Sequence, residues 1–257
     1  MKRPLILVTN DDGITSRGIK ELVEISKKIG EVIVVAPDSP QSGMGHAITI
    51  GEPLRLDPVN DLFEDVQAYT CSGTPADCVK LAKHLVLKDK KPDLVVSGIN
   101  HGSNTSVSVL YSGTMSAAIE AALEGIPAIG FSLCDYSLQA DFSHILSYVE
   151  HIIRQALHNG IPDDTALNVN FPQKSKGKIK GVRVCRQARA RWSEDFDHRR
   201  DPHGRSYYWM TGAFVNDDQG EDTDEYLLAE GYATIVPCAF DLTAHHGIAQ
   251  LNSDWEL

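Results

Sequence analysis

The sequence predicts an α/β fold in which helices cover both faces of an open, mostly parallel sheet. Short, almost wholly apolar runs alternate along the chain with segments whose apolar residues repeat at helical spacing. Strands that are apolar at consecutive positions, rather than at every second one, are typical of a parallel sheet buried on both sides. The length of 257 residues and the hydrophobic content of 42% are sufficient for a large buried core.

The net charge of the chain disfavours two classes of binding partner. The chain carries 24 Lys and Arg against 35 Asp and Glu, which gives a net charge of −11. Charge of this sign repels nucleic acid and anionic membranes at long range, so we expect neither as a stable partner. A phosphate group would have to be bound locally, through a metal ion or backbone amides.

The first elements follow one another at short intervals. Residues 5–8 form an apolar run, and we predict a fully buried strand over 5–9. Residues 18–29 repeat apolar side chains on one helical face, and Gly30 ends this predicted helix. Residues 32–35 are a second apolar run and predict the next strand.

A helix over 75–87 is predicted from its first residues. Thr74 can cap the free backbone N–H groups, and Pro75 is well tolerated at the first helical position. The remaining elements of this half are a strand over 93–97, an Ala-rich helix over 114–123 that ends at Gly125, a strand over 126–131 and a helix over 144–157.

The pattern changes in the last third of the chain. Strands are predicted over 181–187 and 232–240, with a short helix over 222–229 between them. From 186 to 212 the chain is polar, rich in arginine and aromatic residues, and lacks the periodicity of a core element. We therefore predict one α/β domain over 1–257 with an excursion near 186–216.

The cysteines and the shortness of the apolar segments predict a cytoplasmic protein. The five cysteines are scattered, odd in number and without a C-x-x-C pair, as expected of reduced thiols rather than a disulfide framework or a zinc site. No apolar segment approaches the roughly 20 residues of a membrane span. The cysteines are Cys71, Cys78, Cys134, Cys185 and Cys238.

The strongest local signal for chemistry is the segment Asn10-Asp11-Asp12-Gly13, directly after the first strand. Ligands of open parallel sheets bind beyond the carboxyl ends of the strands, where the strand order reverses. Two adjacent carboxylates repel each other, and Mg²⁺, Mn²⁺ or Ca²⁺ would relieve that repulsion. The same four residues are also ordinary turn composition, so the segment alone leaves both interpretations open.

Three further loops are expected at the same edge of the sheet. The long loop over 38–46 offers the hydroxyl of Ser42 and the flexible backbone of Gly43. Asn100 follows the third predicted strand and can offer an amide oxygen. The turn 112–114 opens the Ala-rich helix, and a helix start can bind an anion.

Other motifs limit the alternatives. The sequence contains neither a G-x-x-x-x-G-K-[ST] phosphate loop nor a G-x-S-x-G nucleophile elbow, which disfavours an NTPase of that class and a serine hydrolase. His46 is singled out as the histidine of these loops. It is a candidate general acid or phosphate contact, ranked below the acidic pair.

Taken together, these motifs resemble the SurE family of stationary-phase survival proteins, which are metal-dependent nucleotidases. The resemblance extends over almost the whole chain. Its segments are 8–13, 36–49, 71–79, 96–100, 111–115 and 223–237. Thr105-Ser106 departs from the pattern, because many members carry a glycine there.

The resemblance implies a Rossmann-like open sheet with an extended β-hairpin arm and a C-terminal segment, both used in contacts of a homodimer or homotetramer. It implies hydrolysis of nucleoside monophosphates to nucleoside and phosphate, by a 5'-nucleotidase that also accepts 3'-nucleotides. One divalent cation per subunit, Mg²⁺ or Mn²⁺, would be bound by Asp11, Asp12, Ser42 and Asn100, and the two aspartates would be catalytic. Phosphate or substrate contacts are expected from Asn10, Gly43, Asn104, Ser112, Gly113 and Thr114.

Two rival functions are weighed against this one. A receiver-like signalling domain also places acidic residues around Mg²⁺ at a sheet edge, but it requires an acceptor Asp at the end of a central strand. The third predicted strand instead leads into Ser97-Gly98-Ile99-Asn100. The other rival is a non-enzymatic module that binds metal or nucleotide without turnover.

Overall fold

The computed structural model describes residues 3–88 and 90–256, and these residues form eleven strands and six α-helices. The strands are β1 (Leu5–Thr9), β2 (Glu31–Pro37), β3 (Leu56–Val59), β4 (Gln67–Cys71), β5 (Leu94–His101), β6 (Ala128–Leu133), β7 (Thr165–Phe171), β8 (Val182–Val184), β9 (Ala190–Arg200), β10 (Ser206–Asn216) and β11 (Ala233–Ala239). The helices are α1 (Arg17–Lys27), α2 (Pro75–Leu81), α3 (Gly113–Leu123), α4 (Leu146–Asn159), α5 (Asp224–Ala229) and α6 (His245–Asp254).

Nine of the strands form one sheet in the order β3-β4-β2-β1-β5-β6-β7-β11-β8. The six strands from β4 to β7 in that order run parallel, while β3 and β11 are antiparallel to their neighbours β4 and β7. The predicted open, mostly parallel sheet is therefore confirmed. The chain moves outward from β1 through β2 and then returns to β5 on the other side, so the strand order reverses between β1 and β5.

Two apolar clusters fill the two faces of the sheet. Ile6 and Val8 of β1 pack towards the side covered by α1 and α4, whereas Leu5 and Leu7 pack towards α2 and α3. All five residues of β1 are buried. This confirms the prediction that helices cover both faces, and it explains why the central strands are apolar at consecutive positions.

Four elements were not predicted from the sequence. Each of them lacks the apolar run or the helical periodicity from which the other elements were predicted. β3 includes Pro58 and lies at the sheet edge, where proline is tolerated. β4 is only partly buried. β7 carries two buried asparagines, Asn168 and Asn170, and α6 has no buried residue. The pairing of β4 and β7 depends on strands that are distant in the sequence.

Several predicted boundaries were wrong by a few residues. β5 continues to His101 although the predicted strand ends at Ser97, so Asn100 belongs to the strand itself. The helix predicted over 75–87 is α2 followed by a π-helical segment, Ala82–Leu87. β8 is much shorter than the strand predicted over 181–187.

The excursion near 186–216 is a long antiparallel hairpin of β9 and β10, which form a separate two-stranded sheet. The extended arm implied by the family resemblance is thereby confirmed as a structural element, while its function in assembly stays a prediction. None of the helices in the described ranges is both long and apolar enough to span a bilayer.

Gly18 fixes the distance between α1 and the sheet. A Cβ atom built on Gly18 would lie 1.9 Å from the carbonyl oxygen of Ile99 in β5. No real atom pair tolerates that separation, so α1 can lie this close to β5 only with a glycine at the contact. Asn100 follows Ile99, which means that the contact also supports one edge of the candidate site.

We expect Gly18→Ala to destabilise the protein, because either the helix or β5 must move to admit the methyl group. Overpacking of this kind costs at least about 2 kcal/mol, which outweighs the better helix propensity of alanine. Thermal unfolding of the two proteins measures the difference. Gly51→Ala is the matched control, since a Cβ atom at Gly51 meets no atom within 4 Å, and an equal loss of stability in both variants would contradict the expectation.

Candidate functional site

Four segments of the chain meet at the carboxyl ends of β1 and β5, where the strand order reverses. They are the turn after β1, the loop after β2, the end of β5 and the first turn of α3. Hydrogen bonds connect them to one another. The predicted convergence of these loops on one edge of the sheet is therefore observed, in the crevice where open α/β folds bind ligands.

Asp11 is the buried member of the acidic pair, with 4% of its surface exposed. The hydroxyl of Thr114 donates a 2.5 Å hydrogen bond to its Oδ1 atom. Burial raises the pKa of Asp11 to about 6; the Thr114 hydrogen bond opposes this shift and the negative charge of Asp12 adds to it. A cation would offset both the burial and the repulsion.

Gly113, at the start of α3, packs directly against Asp11. A Cβ atom at Gly113 would lie 2.6 Å from Cβ of Asp11 and 2.9 Å from its Oδ2. The helix N-terminus, which favours a negative charge, therefore faces this carboxylate. The sequence predicts Gly113 and Thr114 as phosphate contacts, yet in the structure their first partner is Asp11.

Asp12 is paired with a histidine that the sequence analysis did not single out. Nδ1 of His101 lies 2.9 Å from Oδ2 of Asp12, and the backbone N–H of His101 lies 3.3 Å from the same oxygen. These contacts bring Asp12 beside the end of β5, next to Asn100. The histidine that contacts the acidic pair is thus His101 rather than His46.

Asn10 and Asn100 hold the two turns in shape. Nδ2 of Asn10 donates to the carbonyl oxygen of Gly13 and to the hydroxyl of Ser16, both at 2.9 Å. Oδ1 of Asn10 is buried without a partner among the described residues. Nδ2 of Asn100 donates to the carbonyl oxygen of Gly102 at 2.9 Å. The nitrogen of each amide is therefore engaged, and the oxygen is the atom that remains to bind a ligand.

Ser42 and Gly43 lie in an exposed loop that is attached to the site at both ends. The backbone N–H of Gln41 donates to the carbonyl oxygen of Asp11 at 2.7 Å. The N–H of Gly45 donates to the carbonyl oxygen of Tyr111, just before α3, at 3.1 Å. Gly43 has a φ of +76°, a conformation that favours glycine. The loop therefore borders the acidic pair with its backbone accessible to a ligand.

His46 contacts the buried carboxylate of Glu120, which lies between two more exposed side chains. Its Nε2 atom lies 2.9 Å from Oε2 of Glu120 in α3, and Nζ of Lys80 in α2 lies 2.5 Å from Oε1 of the same carboxylate. Burial alone would raise the pKa of Glu120, but the hydrogen bonds from His46 and Lys80 lower it below its ordinary value. His46 is thus bonded to Glu120, and its predicted contact with phosphate stays a prediction.

Asn104 is buried in a network at the carboxyl ends of β6 and β7. Its side-chain nitrogen donates to Ser132 at 2.8 Å, and its backbone N–H donates to Oδ1 of Asn170 at 2.9 Å. Asn168 in turn donates to the carbonyl oxygen of Asn104 at 2.7 Å. These contacts fix the loop after β5. Ser112, another predicted phosphate contact, caps α3 by accepting a hydrogen bond from the N–H of Met115.

The structure shows how Ser106 is accommodated where many members of the family carry a glycine. Its φ of +51° lies in the left-handed region, where a glycine is usually favoured. The buried carboxylate of Asp224 holds this conformation by accepting the N–H of Ser106 at 2.8 Å. Asp224 also accepts the N–H of Ala188 at 2.9 Å, just before β9. One buried side chain therefore joins the loop that carries Asn104 to the base of the hairpin.

The donor chemistry of the crevice favours a hard cation. Within residues 3–88 and 90–256, no three His, Cys, Asp or Glu side chains come together as a metal-binding group. The crevice instead combines two carboxylates with neutral amide and hydroxyl oxygens. Such oxygen donors suit Mg²⁺ and Mn²⁺ better than metals that prefer thiolate or imidazole. The residues thus fit the predicted cation in kind.

Fold and site together define a class: an open, doubly wound α/β protein with an acidic, oxygen-lined crevice where the strand order reverses. Comparison with known proteins identifies the family within that class. The family model described as "Survival protein SurE" matches residues 6–194. The chain belongs to the SurE family, as its motifs predict, and this membership replaces the receiver-like alternative.

Two relatives and one solved structure are similar to this chain over all or nearly all of its length. A protein of Cytophaga hutchinsonii named "5'-nucleotidase SurE" is 66% identical over 256 residues, covering 100% of this chain and 98% of its own. A protein of the same name from Flavobacterium psychrophilum is 57% identical, covering 100% and 99%. The crystal structure of SurE protein from Aquifex aeolicus has a TM-score of 0.83 at 39% identity and covers 97% of this chain and 99% of its own.

Three residues that support the site were missed by the sequence analysis: His101, Glu120 and Asp224. Weak signals for two of them exist in the sequence. His101 directly follows Asn100, and Glu120 is the single charged residue of the predicted Ala-rich helix over 114–123. Asp224 stands in the family-like segment over 223–237, but nothing local indicates its partners.

We expect Glu120→Gln to lower thermal stability at neutral pH, because the amide cannot replace the ion pair of the carboxylate with Lys80 or its contact with His46. The folded-state pKa of Glu120 lies below its ordinary value of 4.5. Its contribution is therefore present above that value and is lost as the pH falls through the folded-state pKa. The gap in Tm between wild type and variant should be largest from about pH 5 to 7 and should narrow as the pH falls below 4.5.

Glu24→Gln is the control for this experiment. Glu24 forms an exposed pair with Lys27 at 3.2 Å on α1, and exposed pairs contribute little to stability. Its Tm should follow that of the wild type at every pH. A gap for Glu120→Gln that stays constant from pH 7 to pH 3 would contradict the assigned role of its charge.

Proposed function

We propose that this chain is a 5'-nucleotidase that hydrolyses nucleoside monophosphates to nucleoside and phosphate. The support from comparison is the family membership and the printed names of relatives that match the full chain at up to 66% identity. In the structure, the observation that carries the proposal is the acidic pair. Asp11 and Asp12 lie in the ligand crevice, and each is held through one carboxylate oxygen by a hydrogen bond from the chain.

The proposed cofactor is one divalent cation, Mg²⁺ or Mn²⁺, bound by Asp11, Asp12, Ser42 and Asn100. A cation bound there would polarise a phosphoryl oxygen and offset the negative charge of the substrate. The loops contain no side chain that could replace the positive charge of the cation. Neither Lys nor Arg occurs in the segments 10–13, 38–46, 98–104 and 111–114. The chain thus contributes carboxylates and neutral donors.

The remaining steps are assigned to the residues of the chain. The backbone amides of Gly43 and of the first turn of α3 would donate to the phosphoryl oxygens and orient the group for in-line attack. The acidic pair would accept the proton of the attacking water. Asp12 is the more accessible of the two, with 18% of its side chain exposed. Asn10 and Asn104 would act mainly by shaping the turns beside the substrate.

We expect Asp11→Asn and Asp12→Asn each to lower the rate of phosphate release from nucleoside monophosphates by at least about 100-fold. Chelation of divalent cations should have an equal effect on the wild type, and Mg²⁺ or Mn²⁺ should restore it. Phosphate release is measured over a panel of 5'- and 3'-nucleotides with the cation varied.

The control is Asp38→Asn, which removes an exposed carboxylate from the loop after β2. It should keep the activity of the wild type, and circular dichroism should show all three variants folded. Undiminished activity of the wild type in chelator would contradict the cation requirement. Tight binding of nucleotides without any phosphate release, with every cation tested, would support the non-enzymatic module instead.

We further propose that the hairpin of β9 and β10 forms a contact between copies of this chain in a homodimer or homotetramer. One face of the hairpin is apolar and exposed: 57% of Phe196 and 71% of Met210 are accessible. A two-stranded hairpin is marginally stable alone, and an exposed apolar patch is typical of an interface. The aromatic and apolar residues of this face are Trp192, Phe196, Tyr208, Met210 and Phe214, and His198 and Glu194 lie on the same face. A cytoplasmic location, expected from the scattered cysteines, stays a prediction.

We expect the double variant Phe196→Lys with Met210→Glu to have a lower mass in sedimentation than the wild type. Phe196 and Met210 are directly opposite in the hairpin, so the new charges attract each other and preserve the hairpin while making its face polar. Thr211→Lys is the control, because it places a charge opposite Asp195 on the other face. A wild type that sediments as a monomer at micromolar concentration would contradict the proposed assembly.

A further inference from the structure

His101 is the side chain that fixes the orientation of Asp12. Its Nδ1 atom lies 2.9 Å, and its backbone nitrogen 3.3 Å, from the same oxygen, Oδ2 of Asp12. An ionised carboxylate only accepts hydrogen bonds, so Nδ1 must be the donor. This holds whether or not the ring carries a charge, since Nδ1 bears a proton in both cases.

The ring of His101 is itself held in place from behind. The ring of the fully buried Phe142 meets it edge-on, with centroids 5.1 Å apart and an interplanar angle of 81°. The other ring nitrogen, Nε2, is buried and has no hydrogen-bond partner among the described residues. A substrate therefore has no access to Nε2, which argues for a positioning role rather than for acid–base catalysis by this ring.

The two aspartates are held in a matching way. Thr114 donates to Oδ1 of Asp11, and His101 donates twice to Oδ2 of Asp12. Oδ1 of Asp12 accepts no hydrogen bond from the described residues. The histidine thus occupies one oxygen of this carboxylate and leaves the other available.

We propose that His101 is a positioning residue of the divalent-cation site, which it serves by fixing the Asp12 carboxylate through Oδ2 so that Oδ1 remains to bind the cation. The inference rests on the proposed function. Hydrogen bonds to a ligating group orient it and raise its affinity for the metal, and their loss typically weakens binding by about 10- to 100-fold. The unpaired Nε2 atom is consistent with a ring whose orientation is set by Asp12 rather than by its own hydrogen-bonding needs.

Two substitutions separate the hydrogen bond from the volume of the ring. In His101→Asn the side-chain amide can lie where Nδ1 lies and keep a donor to Asp12. In His101→Leu the space beside Phe142 stays filled and the side-chain donor is lost, while the backbone N–H remains. The Mn²⁺ dissociation constant of each full-length protein is measured by titration calorimetry, and the Mn²⁺ concentration that gives half-maximal activity is measured in parallel.

We expect His101→Leu to raise the Mn²⁺ dissociation constant about 10- to 100-fold, and His101→Asn to stay within about threefold of the wild type. Excess Mn²⁺ should restore most of the turnover number of His101→Leu. His144→Leu is the matched control. His144 is also partly buried and bonded, to the carbonyl oxygens of Asp141 and Pro172, so its loss should lower Tm without changing Mn²⁺ affinity.

The outcomes distinguish this inference from the proposed function. Wild-type affinity for Mn²⁺ in a folded His101→Leu variant would overturn the positioning role and leave the cation site intact. Equal weakening in His101→Asn and His101→Leu would show that the donor is not what matters, and it would also overturn the role. A wild type that binds no Mn²⁺ would overturn the cation site together with the inference.

Discussion

The site depends on one constraint: two adjacent carboxylates must be held at the end of a buried strand. β1 is buried throughout and apolar from Leu5 to Val8, and Asp11 and Asp12 follow it after Asn10. Burial and mutual repulsion both disfavour two negative charges there. The hydroxyl of Thr114 and the N-terminus of α3 stabilise the carboxylate of Asp11, and a hydrogen bond from His101 stabilises that of Asp12. These partners come from two other segments, α3 and β5, so they support the acidic pair only in the folded chain.

The loops around the acidic pair are positioned by buried polar side chains that lie outside the crevice. Glu120 binds His46 and Lys80 and so joins the loop after β2 to α2 and α3. Asp224 joins the loop after β5 to the base of the hairpin. Buried charges of this kind are costly unless they are fully hydrogen-bonded. These hydrogen-bonded carboxylates fix the positions of the loops at the edge of the apolar parallel sheet.

The hairpin stands apart from this arrangement in composition and in packing. β9 and β10 pair only with each other, and most of their large apolar side chains are exposed. Its base, however, is tied through Asp224 to the loop that carries Asn104. A contact made by the hairpin in an assembly would therefore be connected mechanically to one wall of the crevice.

The sequence alone determined the elements whose signal is local. The apolar run of β1, the helical period of α1 and the capping residues of α2 predicted those elements, and the motifs predicted the SurE family. Only the tertiary structure decided which side chains support the acidic pair. The contact of Asp12 with His101 joins residues 89 positions apart, and that of Asp11 with Thr114 joins residues 103 apart. Periodicity and capping act over a few residues, whereas β7 and its buried asparagines, like these contacts, are fixed by the order of strands in the sheet.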